Sequence, residues 1–159
     1  MKPDFQIPGY LNRWHLIPRN KWFNIYLHQF IGPDPSEYLH DHPWWSMSIV
    51  LRGKYLEQGA RWLSLLEGRI IVREPSDSHI IFGPYISECW TLFITGPVVR
   101  DWGFWVDGKW MKHTDYLDPI QDGEMPSPPP KMSAITKARL IAAHMDAAAH
   151  HTRRRLWRC

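Results

Sequence analysis

Two histidines stand two positions apart in the stretch EYLHDHPWWSMSIVLRG, residues 37–53. Side chains at positions i and i+2 of a β-strand point to the same side, so His40 and His42 would face one side of a sheet together. Imidazole nitrogens bind a metal ion at about 2.0–2.1 Å, and two rings at this spacing can reach one ion from an undistorted strand. Pro43 restricts His42 to an extended backbone. The stretch therefore predicts a metal-binding pair, with a polar pair packed among aromatic rings as the alternative.

The elements that must position these histidines are strands. From residue 10 to about residue 118 the chain consists of short segments rich in β-branched and aromatic residues, separated by Gly, Pro, Asp and Ser. Short strands in close succession, with no helical period between them, predict an antiparallel sandwich or barrel. Asp107-Gly108 predicts a tight hairpin, and GPDPSEY predicts a loop. The predicted strands are NKWFNIYLHQF, WWSMSIVLRG, KYLEQGARWLSL, GRIIVREP, SHIIFGP, CWTLFITGPVV and DWGFWVDGKWMKH.

A second histidine-bearing segment, GRIIVREPSDSHIIFGP, has a turn at Pro75 and then His79 at the start of a further strand. Together the two segments resemble the cupin superfamily, whose motifs run G-x5-H-x-H-x3,4-E-x6-G and G-x5-P-x-G-x2-H-x3-N. His40 and His42 match the histidine pair of the first motif, and Gly53 matches its closing glycine. The proline and the histidine of the second motif fall on Pro75 and His79.

Two positions depart from the cupin pattern. The glutamate of the first motif falls on Ser46, and the glycine of the second falls on Asp77, in a turn one residue shorter. The segments LHDHPWW, RGKYLE, CWTLFITGP and DWGFWVDGKW also resemble small, largely uncharacterised cupin-like proteins of bacteria and phages, over roughly residues 10–116. The resemblance implies an all-β fold, a jelly-roll barrel built as a double-stranded antiparallel β-helix. A fold alone does not give an activity.

Without the motif glutamate, the ligand set that the resemblance implies is His40, His42 and His79. This set resembles that of the thiol dioxygenases of the superfamily, which hold Fe(II) with three neutral histidines. Such a site leaves more positive charge on the metal, which favours a small anionic substrate. We therefore expect a metal-binding protein and, more narrowly, a mononuclear non-haem Fe(II) oxygenase, with Zn, Mn or Ni as alternative metals. Asp41 should point to the opposite face, as a supporting or hairpin residue.

Several further residues are candidates for the site. His28, in the YLHQF strand, is a fourth candidate ligand, with an ordinary core histidine as the alternative. Tyr55 and Arg61 are candidate catalytic residues, and Cys89 is expected in the core, with a thiol nucleophile as the alternative. The candidates for binding a carboxylate or phosphate are Arg52, Arg61, Arg73 and Arg100. The tryptophans that could line a cavity or fill the core are Trp44, Trp45, Trp62, Trp90, Trp102 and Trp105.

Two other functions stay open at this point. The first is a non-catalytic cupin-fold module that binds a ligand or a partner. A barrel that kept the fold but lost its activity would lack the motif glutamate, as this sequence does. Histidines hydrogen-bonded to each other would favour this module. The second is a metal-independent epimerase or isomerase of a nucleotide sugar, with a barrel histidine as general base. It needs an acid opposite the base and an arginine pair for phosphate, which the sequence does not place.

The net charge of +3 is unevenly distributed along the chain. From Lys131 onward, seven basic residues against one acid give a charge of +6, which leaves −3 for the rest. We therefore expect a barrel domain at residues 1–120, a Pro-rich linker at 121–132 and a basic helical tail at 133–159. The tail is a candidate contact for nucleic acid or a protein partner.

Composition also bears on location and partners. The chain has no run of eighteen apolar residues and no signal-peptide core, which predicts a cytoplasmic protein that does not enter a membrane. Its two cysteines do not make a disulfide framework. The barrel is expected to bind a small molecule, and pairing into a homodimer is a further expectation from the resemblance.

Overall fold

The structure is a computed structural model that describes residues 1–84 and 88–121. Strands are its main regular secondary structure, and every strand pair in it is antiparallel, as predicted. The elements are β1 (Phe5–Ile7), β2 (Leu11–His15), β3 (Asn24–Phe30), β4 (Ser46–Arg52), β5 (Lys54–Gln58), β6 (Trp62–Leu66), β7 (Ile70–Arg73), β8 (Ile80–Ile81), β9 (Cys89–Thr95), β10 (Gly103–Val106), β11 (Lys109–Lys112) and α1 (His113–Gln121).

The strands form three sheets with one core between the two larger ones. The six-stranded sheet has the order β1-β2-β3-β9-β4-β7, the three-stranded sheet β6-β5-β8, and β10 pairs with β11. Alternate residues of β3 point inward, as the two-residue period of a strand requires. Cys89 is fully buried, and burial raises the pKa of its thiol to about 12, which confirms it as a core residue. The core comprises Tyr10, Leu11, Phe30, Val50, Tyr55, Leu65, Ile81 and Cys89.

Two turns form where the sequence predicts them. Gly53 ends β4 with a φ of +81°, and a Cβ there would lie 2.6 Å from the Glu88 carbonyl oxygen. Only glycine satisfies both constraints, which accounts for the glycine that closes this strand. Asp107 and Gly108 both have positive φ, 49° and 77°, and join β10 to β11 as a tight hairpin.

Two predicted strands differ from the structure. KYLEQGARWLSL is not one strand, because it folds back at residues 59–61 into the hairpin of β5 and β6. The chain after Lys112 is a helix and not a strand, since α1 begins at His113. Asp115 in its first turn favours the helix dipole, and Tyr116 packs on Phe104 with ring centroids 4.1 Å apart. The aromatic cluster that includes these two residues thus holds the helix against the β10–β11 hairpin.

The predicted linker and tail, apart from residue 121, lie outside the described residues, so they stay predictions. In residues 1–84 and 88–121 there is no helix of the length and hydropathy that crossing a membrane requires.

Asp41 connects the histidine segment to the hairpin. It is 1% exposed, and its side chain points away from those of His40 and His42, as predicted. Its Oδ1 accepts a hydrogen bond from the Gly103 amide at 2.8 Å. Its Oδ2 accepts from Arg100 and from Trp110 Nε1, each at 2.9 Å. This carboxylate therefore fixes the backbone between the two histidines.

We predict that Asp41→Ala lowers the free energy of unfolding by about 3 kcal/mol, because it leaves the amide, indole and guanidinium donors without their acceptor. Urea denaturation measures the loss. The matched control is Asp101→Ala, which removes an exposed ion pair with Lys112 and should cost less than about 1 kcal/mol. Equal losses in the two variants would contradict this role of Asp41.

Candidate metal centre

The centre is assembled by a short backbone pairing. The amide of His40 donates to the His79 carbonyl at 3.0 Å, and the amide of His79 donates to the His40 carbonyl at 2.9 Å. His40 also bridges to Phe104 on the other side. The extended segment that carries His40 and His42 therefore lies between residue 79 and strand β10, ahead of β4, which begins only at Ser46.

This pairing brings His40, His42 and His79 into one group. One ring nitrogen of each lies within 4.8 Å of the other two, and His42 Nε2 is 2.8 Å from His79 Nε2. Two nitrogens that bind one ion at about 2.1 Å stand at most about 4.2 Å apart. The group could therefore hold a metal ion after shifts of a few tenths of an ångström.

Burial keeps two of these imidazoles neutral. It lowers the pKa of His40 to about 3, with a smaller contribution from the neighbouring His79. The pKa of His42 is also well below its ordinary value, again mainly through burial. Because the neutral imidazole is the form that binds a metal, these rings suit a metal ion at neutral pH.

His28 lies apart from this group. It is buried in β3, and its Nε2 accepts a hydrogen bond from Arg13 Nε at 2.8 Å. Its ring stacks on that of Phe93, with centroids 4.7 Å apart. These contacts are those of an ordinary core histidine, the alternative that the sequence left open.

A carboxylate that the sequence analysis missed supports the centre. Glu57 Oε2 lies 3.2 Å from His79 Nδ1, and both its oxygens contact the guanidinium of Arg73. Burial alone would raise the pKa of Glu57, but His79 and Arg73 lower it to about 2. A carboxylate on Nδ1 fixes the ring and directs Nε2 toward a metal. The sequence could have indicated Glu57 through its spacing, because it stands two residues after Tyr55 and therefore on the same side of β5.

The candidate catalytic residues lie at other places. Tyr55 is 1% exposed in the core, and its hydroxyl is hydrogen-bonded to Arg73. Arg61 is exposed at the wall of a cavity of about 460 Å³ that Glu57, Arg73 and His79 also line. Tyr55 is therefore a partner of the buried Glu57–Arg73 ion pair, whereas Arg61 lies in the wall of the cavity that His79 also lines.

A larger cavity, of about 650 Å³, lies on the side of His40 and His42. We call it the aromatic cavity. Two of the six candidate tryptophans, Trp44 and Trp102, are part of its wall, and none of the four candidate arginines is. Arg52 is exposed, Arg73 pairs with Glu57, and Arg100 pairs with Asp41. The aromatic and aliphatic residues of the wall are Phe5, Ile7, Tyr10, Leu11, Pro35, Tyr38, Pro43, Trp44, Trp102, Phe104, Tyr116 and Leu117.

The position of the cupin glutamate is Ser46, buried at the start of β4. The carboxylates that do approach the histidines come from other elements. Besides Glu57, Asp34 Oδ2 lies 3.7 Å from His40 Nε2. Neither carboxylate belongs to the group of converging ligand atoms. Among the described residues, the centre is therefore a three-histidine group with one carboxylate near His79 and another near His40.

Comparison with solved structures identifies the fold. A Ralstonia eutropha protein proposed to be a mannose-6-phosphate isomerase matches with a TM-score of 0.51 and 14% identity, over 59% of this chain and 92% of its own. An uncharacterised Klebsiella pneumoniae protein with a double-stranded β-helix domain matches with a TM-score of 0.50 and 14% identity, over 63% and 88%. These similarities confirm the predicted jelly-roll barrel built as a double-stranded β-helix, and at this identity they concern the fold alone. The chain matches no protein-family model and no curated protein sequence.

We predict that Glu57 acts on metal affinity and not only on stability. Glu57→Gln leaves Arg73 buried without its carboxylate, which should cost several kcal/mol of stability. The double variant Glu57→Gln/Arg73→Met removes that penalty, yet should bind metal about 10–100-fold more weakly than the wild type because His79 is no longer oriented. Chelator competition measures affinity, and Arg73→Met, which keeps the carboxylate, is the control. Wild-type affinity in the double variant would contradict the role of Glu57.

We also predict that the metal-free protein loses stability as the pH falls from 6.5 to 4.5. His28, His40 and His42 have lowered pKa values when folded, so in this window the unfolded chain takes up protons there that the folded chain does not. Each contributes about 1.4 kcal/mol per pH unit. Burial raises the pKa of Asp34 to about 6, so the folded chain takes up a proton there as the pH falls. This uptake offsets the effect of one of the three histidines on stability.

Urea unfolding at several pH values in the presence of a chelator tests the pH prediction. His28→Gln should reduce the slope by about one proton, roughly 1.4 kcal/mol per pH unit. A free energy of unfolding that stays constant or increases as the pH falls from 6.5 to 4.5 would contradict the burial of neutral histidines.

Proposed function

We propose that this chain is a mononuclear non-haem Fe(II) oxygenase that acts on a small anionic substrate through His40, His42 and His79. The observation that carries the proposal is the convergence of three imidazoles, two of them held neutral by burial, beside a largely apolar cavity. Three neutral ligands leave the charge of a divalent ion uncompensated and coordination positions free.

The residues at the centre and in the cavity wall have different roles in the proposed reaction. His40, His42 and His79 would hold the metal, and Glu57 orients His79 through Nδ1. When bound, Fe(II) would supply activation of dioxygen next to a coordinated substrate. The aromatic wall, including Trp44 and Phe104, provides apolar contact area for the body of a substrate. Asp34 Oδ2, beside His40 Nε2, is the carboxylate of the cavity wall nearest the centre.

A second candidate is a non-catalytic module that binds a ligand or partner on a cupin fold. One observation favours it: His42 Nε2 and His79 Nε2 lie at hydrogen-bond distance, 2.8 Å. A shared proton between two neutral imidazoles accounts for this distance as well as a pair of adjacent metal ligands does. Metal binding separates the two candidates, because a hydrogen-bonded histidine pair needs no ion.

The test is metal binding followed by oxygen consumption, on the full chain purified without a tag. We expect about one Fe(II) per chain, with an affinity at least tenfold lower in His42→Ala and in His79→Ala, because each variant removes one of three ligands. His15→Ala, on β2 and outside the group, is the matched control. The loaded wild type should consume oxygen with at least one member of a panel of small thiols and carboxylates.

Three results would contradict the oxygenase. One is a wild type that binds no divalent metal, which also favours the binding module. Another is metal binding or oxygen consumption that is unchanged in His42→Ala. The third is equal loading by Zn, Mn or Ni with no oxygen consumption after Fe(II) loading, which would keep the metal site and reject the oxygenase.

Three expectations about partners and location stay predictions. They are pairing into a homodimer, a contact of the basic tail with nucleic acid or protein, and a cytoplasmic location. The tail lies outside the described residues.

A further inference from the structure

Arg13 stands in the wall of the aromatic cavity, held by its neighbours on β2 and β3. It lies opposite His28 in the strand register, and its Nε donates to His28 Nε2 at 2.8 Å. Its guanidinium lies 4.8 Å from the ring centre of Tyr26 and 5.5 Å from that of Phe5. These contacts orient the guanidinium and use one of its five N–H donors.

Arg13 is half-buried and differs from Arg73 and Arg100 in its partners. Arg73 pairs with Glu57 and Arg100 pairs with Asp41. Among residues 1–84 and 88–121, no carboxylate pairs with Arg13, although burial weakens its solvation enough to lower its pKa. A partly buried guanidinium without a counter-ion is incompletely solvated, so an anionic ligand in the cavity would stabilise it.

The acidic residues of the cavity wall are engaged or exposed. Asp34 accepts a hydrogen bond from the Ser36 amide at 2.8 Å and faces His40. Glu37 is exposed at the cavity mouth. The terminal nitrogens of Arg13 are therefore the cationic donors that the described wall offers to a ligand, apart from the histidines.

We propose that Arg13 is the anion-binding residue of the aromatic cavity and that its ligand is a small carboxylate with an apolar or aromatic body. The carboxylate binds the two terminal nitrogens of Arg13, and the body packs on the aromatic wall between Arg13 and the histidines. This inference rests on the proposed function in one respect, namely that the reactive end of the ligand faces the three histidines.

The geometry favours a carboxylate over a phosphate. With Nε engaged by His28, Arg13 retains a planar pair of terminal donors, which matches the two oxygens of a carboxylate. A phosphate dianion would face one guanidinium and two acidic side chains, Asp34 and Glu37, in the same wall. The remaining wall is apolar and aromatic, which favours a hydrocarbon body over a polyhydroxylated one.

The test uses phenylacetate as the probe, with 2-phenylethanol as its neutral analogue and inorganic phosphate as the competing anion. Titrations followed by calorimetry or NMR use the full chain, with and without metal. We expect phenylacetate to bind the wild type at least tenfold more tightly than 2-phenylethanol or phosphate. In Arg13→Gln, phenylacetate binding should fall at least tenfold, with 2-phenylethanol binding unchanged.

Controls separate binding from folding. Arg69→Gln removes an exposed arginine outside the cavity and should leave phenylacetate binding unchanged. If Arg13→Gln does not fold, Arg13→Lys, which keeps the charge and loses the paired donors, replaces it and should still weaken binding several-fold. The terminal guanidinium NMR signals of Arg13 in the wild type should shift on addition of phenylacetate.

Two results would overturn the inference: phenylacetate binding that Arg13→Gln or Arg13→Lys leaves unchanged, or a wild type that binds 2-phenylethanol or phosphate as tightly as phenylacetate. Metal binding by the wild type separates this inference from the proposed function. Arg13-dependent phenylacetate binding in a wild type that takes up no divalent metal would contradict the oxygenase alone. Metal-dependent oxygen consumption that is indifferent to Arg13→Gln would contradict the anion site alone.

Discussion

Two backbone hydrogen bonds between His40 and His79, 3.0 and 2.9 Å long, set the geometry of the whole centre. They join a segment ahead of β4 to the start of β8 and place two imidazoles side by side. The extended backbone then returns to the same side at His42, two residues on. Asp41, between them, must point the other way, and it is there that the hairpin is attached. The candidate metal ligands His40 and His42 and the anchoring carboxylate of Asp41 thus occupy opposite sides of three consecutive residues.

The energetics of the centre follow from burial. Removing histidines from water favours their neutral form, which suits metal binding but weakens the fold in acid. The buried carboxylates are paired, Glu57 with Arg73 and Asp41 with Arg100. Such pairs contribute little net stability against apolar replacements, although breaking one is costly. Their clearer effect here is to orient side chains, which a site with precise geometry requires.

The sequence predicted those features that depend on local rules. The two-residue period of a strand was enough to place His40 and His42 together and Asp41 opposite, and Gly53 and Asp107-Gly108 marked turns that only special backbone angles allow. The all-β architecture followed from the same local patterns. The motif resemblance added His79, since nothing local connects it with His42.

The features that the sequence did not predict depend on partners distant in the chain. Glu57 acquires its role from β5 lying beside residue 79, and Arg13 from the register of β2 against β3. The hairpin within KYLEQGARWLSL was missed although Gly59 marks its turn, because the residues on either side of the turn favour strands. The helix at His113 depends on the packing of Tyr116 on Phe104, which lies on another element.

The most direct test of the central claim is a crystal structure of the protein grown with Fe(II) under anaerobic conditions, with data collected on both sides of the iron absorption edge. We expect one anomalous peak about 2.0–2.2 Å from a ring nitrogen of each of His40, His42 and His79, with Glu57 on Nδ1 of His79. No anomalous peak at these three rings, with His42 Nε2 and His79 Nε2 still at hydrogen-bond distance, would contradict it.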